Sequence, residues 1–377
     1  MKNKSLGLYN IIDTDGINKS INNVLSSGVN FNTYTSPKGL KELRIEISNF
    51  LVSVWNYNVN YKDMLITTGS QQSINLIAYS LLNEGDTVLI EQPTYFGAIN
   101  TFKNRKVNLI GMDLTEDGID LNVLEDSIIK YHPKLIYVTP TFNNPTGYSW
   151  SNAYREKFLE IINKYNVLVL EDDPYSLINF TNIKYKSLYE LNNGRNVIYL
   201  GTFSKYISPS INVGYILSNK ILLETIYSFK ESFDLCTSLF NQLVILDYLK
   251  NNNLKNIINN RLILYKKLLA EALKNININY AKSILNYSEI KGGMFVFLRF
   301  KGEVDNNIFE NGSRYYVDKK HDNETRINIC SLLNLERVEG IEPSPSGRKH
   351  EILPLNYTRN SNNYTTLLGK IKDFPFK

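Results

Sequence analysis

The stretch VIYLGTFSK, residues 197–205, joins a short apolar run to a polar end that carries two hydroxyls and a lysine. Four other short apolar runs occur along the chain, at residues 64–67, 87–90, 135–139 and 167–170. Most of these runs are continuously apolar, without alternating polar residues, which is typical of strands that are buried on both faces. The runs therefore predict five strands of one sheet that is covered on both sides.

Helical patterns lie between these runs, at residues 71–82, 121–131 and 153–165. In the last of them apolar residues recur at helical spacing. Strands that alternate with helices build βαβ units, whose strands run parallel. We therefore predict an α/β fold with a doubly wound, mostly parallel sheet.

The C-terminal third has a different pattern. Helical patterns at residues 221–250 and 254–273 lead to strand-like sequence at residues 289–300, which Gly292 and Gly293 interrupt. This order predicts a second, smaller α+β domain. The predicted units are a large domain at residues 40–250, a shortened small domain at residues 1–39 and 251–342, and an atypical tail at residues 343–377.

The tail differs from the rest of the chain. Pro343 and Pro345 stop the helical pattern that precedes them, and residues 348–363 have no helical period. We expect the tail to be poorly ordered.

Composition excludes several classes of protein. The chain has 377 residues, of which 43% are hydrophobic and 21% are charged, with a net charge of +5. No apolar run approaches the roughly 20 residues that cross a bilayer, and the N-terminus lacks the pattern of a signal peptide. Cys236 and Cys330 are too few for a disulfide framework, and the three histidines are scattered. We expect a soluble cytoplasmic protein that binds no metal, no membrane and no nucleic acid.

The candidate site lies after the strands, because ligands of open α/β sheets bind beyond the carboxyl ends of their strands. The segments there are TGSQQ at 68–72, EQPTYFG at 91–97, NNPTG at 143–147, EDDPY at 171–175 and GTFSK at 201–205. Taken alone, Ser70 is better explained as a helix cap, Tyr95 as a core aromatic and Asn144 as part of a surface turn. Together the segments offer a phosphate cradle, a stacking ring, carboxylates that need a cationic partner, and a lysine. A phosphorylated pyridine aldehyde requires this combination of groups.

These motifs resemble the fold-type I pyridoxal-phosphate aminotransferases, in the subgroup that includes 2-aminoadipate aminotransferases and the aminotransferase domains of MocR-type regulators. The resemblance extends from about residue 10 to about residue 342. The matching stretches are TTGSQQSINL, EQPTYFGAI, NNPTG, LEDDPY, GTFSK, KGGMFVF and TRINICSL. The resemblance implies pyridoxal 5'-phosphate as cofactor, an amino acid and a 2-oxo acid as substrates, and a homodimer with shared active sites.

The resemblance also implies a role for each matched residue at the cofactor ring. Lys205 resembles the lysine that binds the cofactor as a Schiff base and moves the substrate proton, and Asp172 resembles the carboxylate that keeps the pyridine nitrogen protonated. Tyr95 resembles the active-site tyrosine that stacks on the ring. Asn144 and Tyr175 resemble the pair that hydrogen-bonds the ring hydroxyl.

Further implied contacts lie outside the ring. The phosphate-binding residues that the resemblance implies are Gly69, Ser70, Gln71, Thr202 and Ser204. Tyr34 resembles the tyrosine that reaches the phosphate of the neighbouring subunit. Arg326 resembles the arginine that binds the substrate α-carboxylate as a planar fork, with help from the Asn144 amide.

The implied function is transfer of the amino group of a medium or large amino acid to 2-oxoglutarate by a ping-pong mechanism. The expected donors are aromatic, branched-chain or 2-aminoadipate-like. Two alternatives stay open, a degenerate non-catalytic protein of this fold and a pyridoxal-phosphate-dependent lyase, because the motifs determine the cofactor better than the reaction.

The chain departs from the family at several points. Asn212 stands where the family has an arginine that pairs with the cofactor phosphate, and we expect this change to weaken cofactor retention. The family's substrate-covering segment is unrecognisable in residues 1–9, which predicts a more open side-chain pocket. The chain is also shortened after Phe309, where the small domain of the family has a further helix and strand.

Overall fold

The computed structural model describes residues 12–306, 309–318 and 320–330. Its α-helices are α1 (Thr14–Ser26), α2 (Lys41–Trp55), α3 (Gly69–Leu81), α4 (Phe96–Asn104), α5 (Leu121–Tyr131), α6 (Asn152–Tyr165), α7 (Leu188–Leu191), α8 (Lys220–Asp234), α9 (Leu239–Asn251) and α10 (Leu254–Tyr280). Its strands are β1 (Met64–Thr67), β2 (Thr87–Gln92), β3 (Asn108–Thr115), β4 (Gly118–Ile119), β5 (Leu135–Val138), β6 (Leu168–Asp173), β7 (Val197–Thr202), β8 (Gly214–Leu217), β9 (Ile284–Tyr287), β10 (Phe295–Phe300) and β11 (Glu324–Asn328). The segment at residues 1–9 and the tail at residues 343–377 lie outside the described residues.

The large sheet has eight strands in the order β1-β8-β7-β6-β5-β2-β3-β4. From β7 to β3 the neighbouring strands are parallel. β8 is antiparallel to both β7 and β1, and β4 is antiparallel to β3. Helices connect the parallel strands, so the prediction of a mostly parallel α/β sheet is confirmed.

The core lies on both faces of this sheet. Leu65 of β1 packs in one hydrophobic cluster with Val88 and Ile90 of β2. Ile66 of β1 and Leu89 of β2 point to the opposite face and belong to a second cluster. Burying an apolar side chain of this size stabilises the fold by about 1.5–3 kcal/mol. The continuous apolar runs of the sequence therefore supply both cores at once.

Five strands and one helix boundary differ from the sequence-based prediction. The strands that are not predicted are β3, β4, β8, β9 and β11. Several residues of β3 are partly or fully exposed, so β3 lacks the continuous apolar run that predicts the other strands of the large sheet. The single helical pattern predicted at residues 221–250 is wrong, since α8 and α9 are separate helices. Leu235 ends α8 with a left-handed φ of 61°, and the Ser238 hydroxyl then caps α9 by accepting from the Asn241 amide at 3.4 Å.

A second, three-stranded antiparallel sheet has the order β11-β10-β9. Its register places Arg326 of β11 opposite Phe297 of β10. Gly292 and Gly293 lie in the connection between β9 and β10, directly against Phe142 of the large unit. A Cβ on Gly292 would collide with the Phe142 ring, so the close approach of the two units requires glycine there.

Helix α1 packs against α9. The Tyr248 hydroxyl donates to Asp13 Oδ2 at 2.8 Å, and the Asn23 amide donates to Asp247 Oδ2 at 3.1 Å. This contact joins the first residues of the chain to the range predicted as the large domain, and the division into domains stays a prediction. No helix in the described ranges is long and apolar enough to cross a membrane.

Candidate active site

Apart from Tyr34 and Arg326, the predicted site residues lie at or just after the ends of strands β1, β2, β5, β6 and β7 of the large sheet. Thr67 at the end of β1 and Thr202 at the end of β7 both pair with Gly214, the first residue of β8. Asp172 of β6 lies beside Leu200 of β7. The antiparallel strand β8 therefore holds the ends of β1 and β7 at the same level.

The N-terminus of α3 lacks a side-chain cap. Its N-cap residue is Thr68, whose hydroxyl makes no capping hydrogen bond, so the interpretation of Ser70 as the helix cap is wrong. Gly69 begins the helix at a φ of +77°, a left-handed conformation that favours glycine. The first amides of a helix, here those of Ser70 and Gln71, have no partner inside the helix and attract anions. The geometry suits a bound phosphate.

Asn212 lies at this same cradle. Its Oδ1 packs directly over Gly69, where a Cβ would collide with it. The Ser204 hydroxyl lies 3.4 Å from Asn212 Oδ1 and 3.2 Å from the Thr202 hydroxyl. The position at which the family has an arginine therefore faces the predicted phosphate site with an uncharged amide.

Asp172 is buried and has one oxygen without a partner. Its Oδ2 accepts from the Tyr137 hydroxyl at 2.7 Å, while Oδ1 has no hydrogen-bond partner among the described residues. Burial raises the pKa of Asp172 to about 7; the Tyr137 hydrogen bond opposes this rise, the charge of Asp173 adds to it, and Lys205 opposes it. A cationic N–H donor would satisfy Oδ1 and keep the carboxylate ionised.

Lys205 lies at the open end of β7, where its side chain is exposed to solvent. Its pKa is nevertheless lowered, first by burial and then by the charge of Arg326, while Cys330 and Asp172 oppose the change. The Lys205 side chain is accessible to solvent, and the protein atoms around its amine still desolvate the charged form. Within the described part of the chain, Lys205 makes no hydrogen bond or ion pair.

Tyr95 is the residue before α4, and its side chain is partly exposed to solvent. Burial raises the pKa of its hydroxyl, and the charge of Asp172 raises it further. The adjoining Gly97 allows the Tyr95 ring and the Gln71 side chain to approach the helix, since a Cβ there would collide with both.

The NNPTG turn directs Asn144 toward Arg326. Asn143 secures the turn by accepting from the Thr146 amide at 3.1 Å and by donating to Glu91 at 2.7 Å. Asn144 is buried, and its Oδ1 accepts from Arg326 Nη1 at 2.8 Å. Because Asn144 is buried, the interpretation of this segment as a surface turn is wrong, and the Asn144 amide contacts Arg326.

Arg326 has both satisfied and unsatisfied donors. Nη2 donates to Glu310 Oε2 at 3.3 Å, and the buried Nε has no partner among the described residues. Its guanidinium lies 4.3 Å from the centre of the Phe295 ring, whose edge-to-face neighbour is Tyr175 at 5.5 Å. Tyr175 is buried, and burial raises the pKa of its hydroxyl.

Three residues that support this site are not found by the sequence analysis. Tyr137 holds Asp172, and the buried Glu91 holds the NNPTG turn. The buried guanidinium of Arg155 donates to the carbonyl of Pro140 at 2.8 Å and to the hydroxyl of Thr141 at 2.9 Å. Glu91 and Arg155 are charged residues in or near an apolar segment, and that placement is the one signal in the sequence; Tyr137 gives no such signal.

Tyr34 does not join the other predicted residues. Its side chain is 79% exposed, and its one described local hydrogen bond is made by its backbone carbonyl, which accepts from the Thr33 hydroxyl. Its predicted contact with a neighbouring subunit stays a prediction.

The family model for aminotransferase class I and II matches residues 9–337 of the chain. The chain belongs to this family. An uncharacterized aminotransferase of Saccharolobus solfataricus is 30% identical to it over 85% of this chain and 83% of the relative. Aromatic-amino-acid aminotransferase 1 of Thermococcus litoralis is 26% identical over 85% of this chain and 80% of the relative. The solved α-aminoadipate aminotransferase of Thermus thermophilus, complexed with N-(5'-phosphopyridoxyl)-L-leucine, has a TM-score of 0.80 at 27% identity, covering 85% of each chain.

The aminotransferase acts on amino acids and 2-oxo acids, and its cofactor is pyridoxal phosphate, as in its family. The resemblance inferred from the motifs is thereby confirmed. The donors and acceptors present fit this cofactor. The unpartnered Asp172 Oδ1 suits a protonated ring nitrogen, and the uncapped N-terminus of α3 beside Thr202 and Ser204 suits a phosphate. Among the described residues, no group of three or more His, Cys, Asp and Glu side chains could hold a metal ion.

Proposed function

We propose that this aminotransferase moves the amino group of a medium or large amino acid to 2-oxoglutarate by a ping-pong mechanism. The donors are aromatic, branched-chain or 2-aminoadipate-like. The names of the Thermococcus litoralis and Thermus thermophilus relatives support the aromatic and the aminoadipate classes. The acceptor and the order of the steps come from the resemblance to the family.

The observation that carries the proposal is a pair of unsatisfied polar groups near Lys205, one on each sheet. Asp172 Oδ1 and Arg326 Nε are buried without partners in the described ranges, and both lie close enough to Lys205 for their charges to shift its pKa. Unpartnered buried groups are costly, and a ligand that completes them removes the cost. A ring cation at Asp172 and a substrate carboxylate at Arg326 complete both.

Each group at the ring then has one task. Pyridoxal phosphate, when bound, supplies an electron sink for the bond that breaks at the substrate Cα. Asp172 holds the proton on the ring nitrogen, and Tyr95 covers the ring face. Lys205 moves the proton at the substrate Cα, and its lowered pKa increases the fraction of neutral amine available as a base.

The remaining groups bind and orient. Arg326 and Asn144 hold the α-carboxylate, because a planar guanidinium and an amide together offer several donors to its two oxygens. Thr202, Ser204 and the first amides of α3 hold the phosphate.

We further propose a homodimer in the cytoplasm. The exposed Tyr34 has room to reach a second subunit, as the family resemblance implies.

The test separates the proposal from its alternatives. Cofactor-loaded protein is mixed with single amino acids without an acceptor, and we expect about one oxo acid per subunit, as a ping-pong enzyme requires. Further turnover should need 2-oxoglutarate, and initial-rate plots at several acceptor concentrations should give parallel lines.

Three outcomes would contradict the proposal. Continuous oxo-acid release without an acceptor would identify a lyase. Retained cofactor without any oxo acid would identify the non-catalytic protein that Asn212 favours. Strict preference for a small donor such as alanine would contradict the donor class.

A further inference from the structure

Glu310 lies against the guanidinium that is proposed to bind the substrate. Its Oε2 accepts from Arg326 Nη2 at 3.3 Å. Both side chains are mostly buried, with exposures of 16% for Glu310 and 18% for Arg326. A glutamate offers Arg326 the same chemical group as a substrate α-carboxylate, so the two compete for the donors of one fork.

Two other groups hold Glu310 more closely than Arg326 does. Its Oε1 is ion-paired with Arg314, and its Oε2 accepts from the Tyr315 hydroxyl at 2.6 Å. The Arg314 guanidinium is itself fixed, because it lies 3.7 Å from the centre of the Phe96 ring. Glu310 is therefore shared between two arginines, and its contacts with Arg314 and Tyr315 are shorter than its contact with Arg326.

The charges of this cluster balance for one incoming carboxylate. Arg314, Glu310 and Arg326 together carry a charge of +1, so one bound carboxylate makes the set neutral. Without Arg314 the pair that remains is already neutral, and a bound carboxylate would leave a negative charge in a partly buried site. Without Glu310 the set carries +2 and attracts a carboxylate more strongly.

We propose that Glu310 is a built-in competitor for Arg326, and that Arg314 sets the carboxylate affinity of the site by restraining Glu310. Both are positioning residues that act through Arg326. This inference rests on the proposed function, because it takes Arg326 as the binding group for the substrate carboxylate.

The test uses cofactor-loaded protein and 3-phenylpropionate, a carboxylate without an amino group, whose dissociation constant is measured by calorimetry. Glu310→Gln keeps the size of the side chain and removes its charge, and we expect about tenfold tighter binding, the size of one charge-assisted contact. Arg314→Gln should weaken binding by about tenfold or more. In the Glu310→Gln background, Arg314→Gln should have little effect, because the competitor is gone.

Two control variants accompany these measurements. Glu303→Gln removes a negative charge from an exposed position of the same small unit and should leave the dissociation constant unchanged. Arg326→Gln should weaken the binding of 3-phenylpropionate by about ten- to a hundredfold. For amino acids, Glu310→Gln should lower KM with little change in kcat, which a merely structural role would not produce.

Several results would overturn the inference. Weaker binding in Glu310→Gln would mean that Glu310 only holds Arg326 in place. An equal effect of Arg314→Gln in both backgrounds would mean that Arg314 acts independently of Glu310. Unchanged binding in Arg326→Gln would mean that Arg326 does not bind the carboxylate. If the carboxylate binds as expected but no oxo acid forms from amino acids, the proposed function fails and the inference stands.

Discussion

Replacing Asp172 by asparagine should stabilise the cofactor-free protein at alkaline pH. Burial raises the pKa of Asp172 to about 7 from an ordinary value of 3.8, because the folded protein desolvates a carboxylate whose Oδ1 has no partner among the described residues. A carboxyl whose pKa is higher in the folded state binds its proton more tightly there. Its stabilising effect is complete below pH 3.8 and is lost as the pH rises through about 7.

The magnitude follows from the two pKa values. Each pKa unit corresponds to about 1.4 kcal/mol. Roughly 2 kcal/mol of stability is then lost by pH 5 and roughly 4 kcal/mol by pH 8, relative to acidic pH. Asparagine does not titrate. The free energy of unfolding of Asp172→Asn, relative to the parent, should therefore rise by about 2–3 kcal/mol between pH 5 and pH 8.

The assay is urea unfolding of cofactor-free protein at both pH values and at one protein concentration. The buried Glu91 and Glu171, whose pKa values burial also raises to about 7, are present in both proteins and cancel. Any cost of the new amide is independent of pH and also cancels. Asp126→Asn on the exposed face of α5 is the matched control and should show no such change.

An equal stability difference at pH 5 and pH 8 would refute this reasoning, because it would mean that Asp172 is not a strained carboxylate. Added pyridoxal phosphate provides a second comparison. It should stabilise the parent more than Asp172→Asn, because the amide cannot pair with a ring cation.

Three further predictions concern single residues. Borohydride reduction and peptide mapping should place the pyridoxyl label on Lys205, and a label on another lysine would contradict that assignment. Arg326→Ala should weaken the binding of every amino acid alike by about 1.5–3 kcal/mol, as expected for lost charge-assisted bonds, and unchanged apparent affinity would exclude the role. Asn212→Arg should bind cofactor about ten- to a hundredfold more tightly, less any cost of placing arginine at a φ of 47°. The exposed Asn193, with a φ of 50°, provides the control Asn193→Arg, and equal effects of both changes would contradict a local contact with the phosphate.

The sequence predicts the site residues that directly follow apolar runs. Asp172 and Lys205 can be predicted because a charged side chain at the end of a buried strand is costly unless a partner offsets its charge. The parallel arrangement then brings such ends together, which is why motifs far apart in the chain could be read as one site.

Contacts that depend on strand register could not be predicted in this way. Tyr137 looks like one more apolar residue of its run, and only the pairing of β5 with β6 brings it to Asp172. Glu310 contacts Arg326 only because the small unit folds so that the two side chains meet. Nothing in the sequence around either residue indicates that contact. The antiparallel direction of β8 could not be predicted either, because GYIL has the same apolar pattern in a parallel strand and in an antiparallel strand.

The place of β1 at the edge of the large sheet has a consequence for dynamics. β1 has one neighbouring strand, β8, in the described sheet, yet α3, the helix that follows β1, supplies half of the proposed phosphate cradle. The other half, at Thr202 and Ser204, belongs to the central strand β7 and the loop after it. Local opening of a single ladder would therefore split the cradle while leaving Asp172 in place. Bound cofactor would contact both α3, after the edge strand β1, and the loop after β7. Amide hydrogen exchange along β1 should therefore slow on cofactor binding more than exchange along β5. The β1 amides would then report the fraction of protein that holds cofactor.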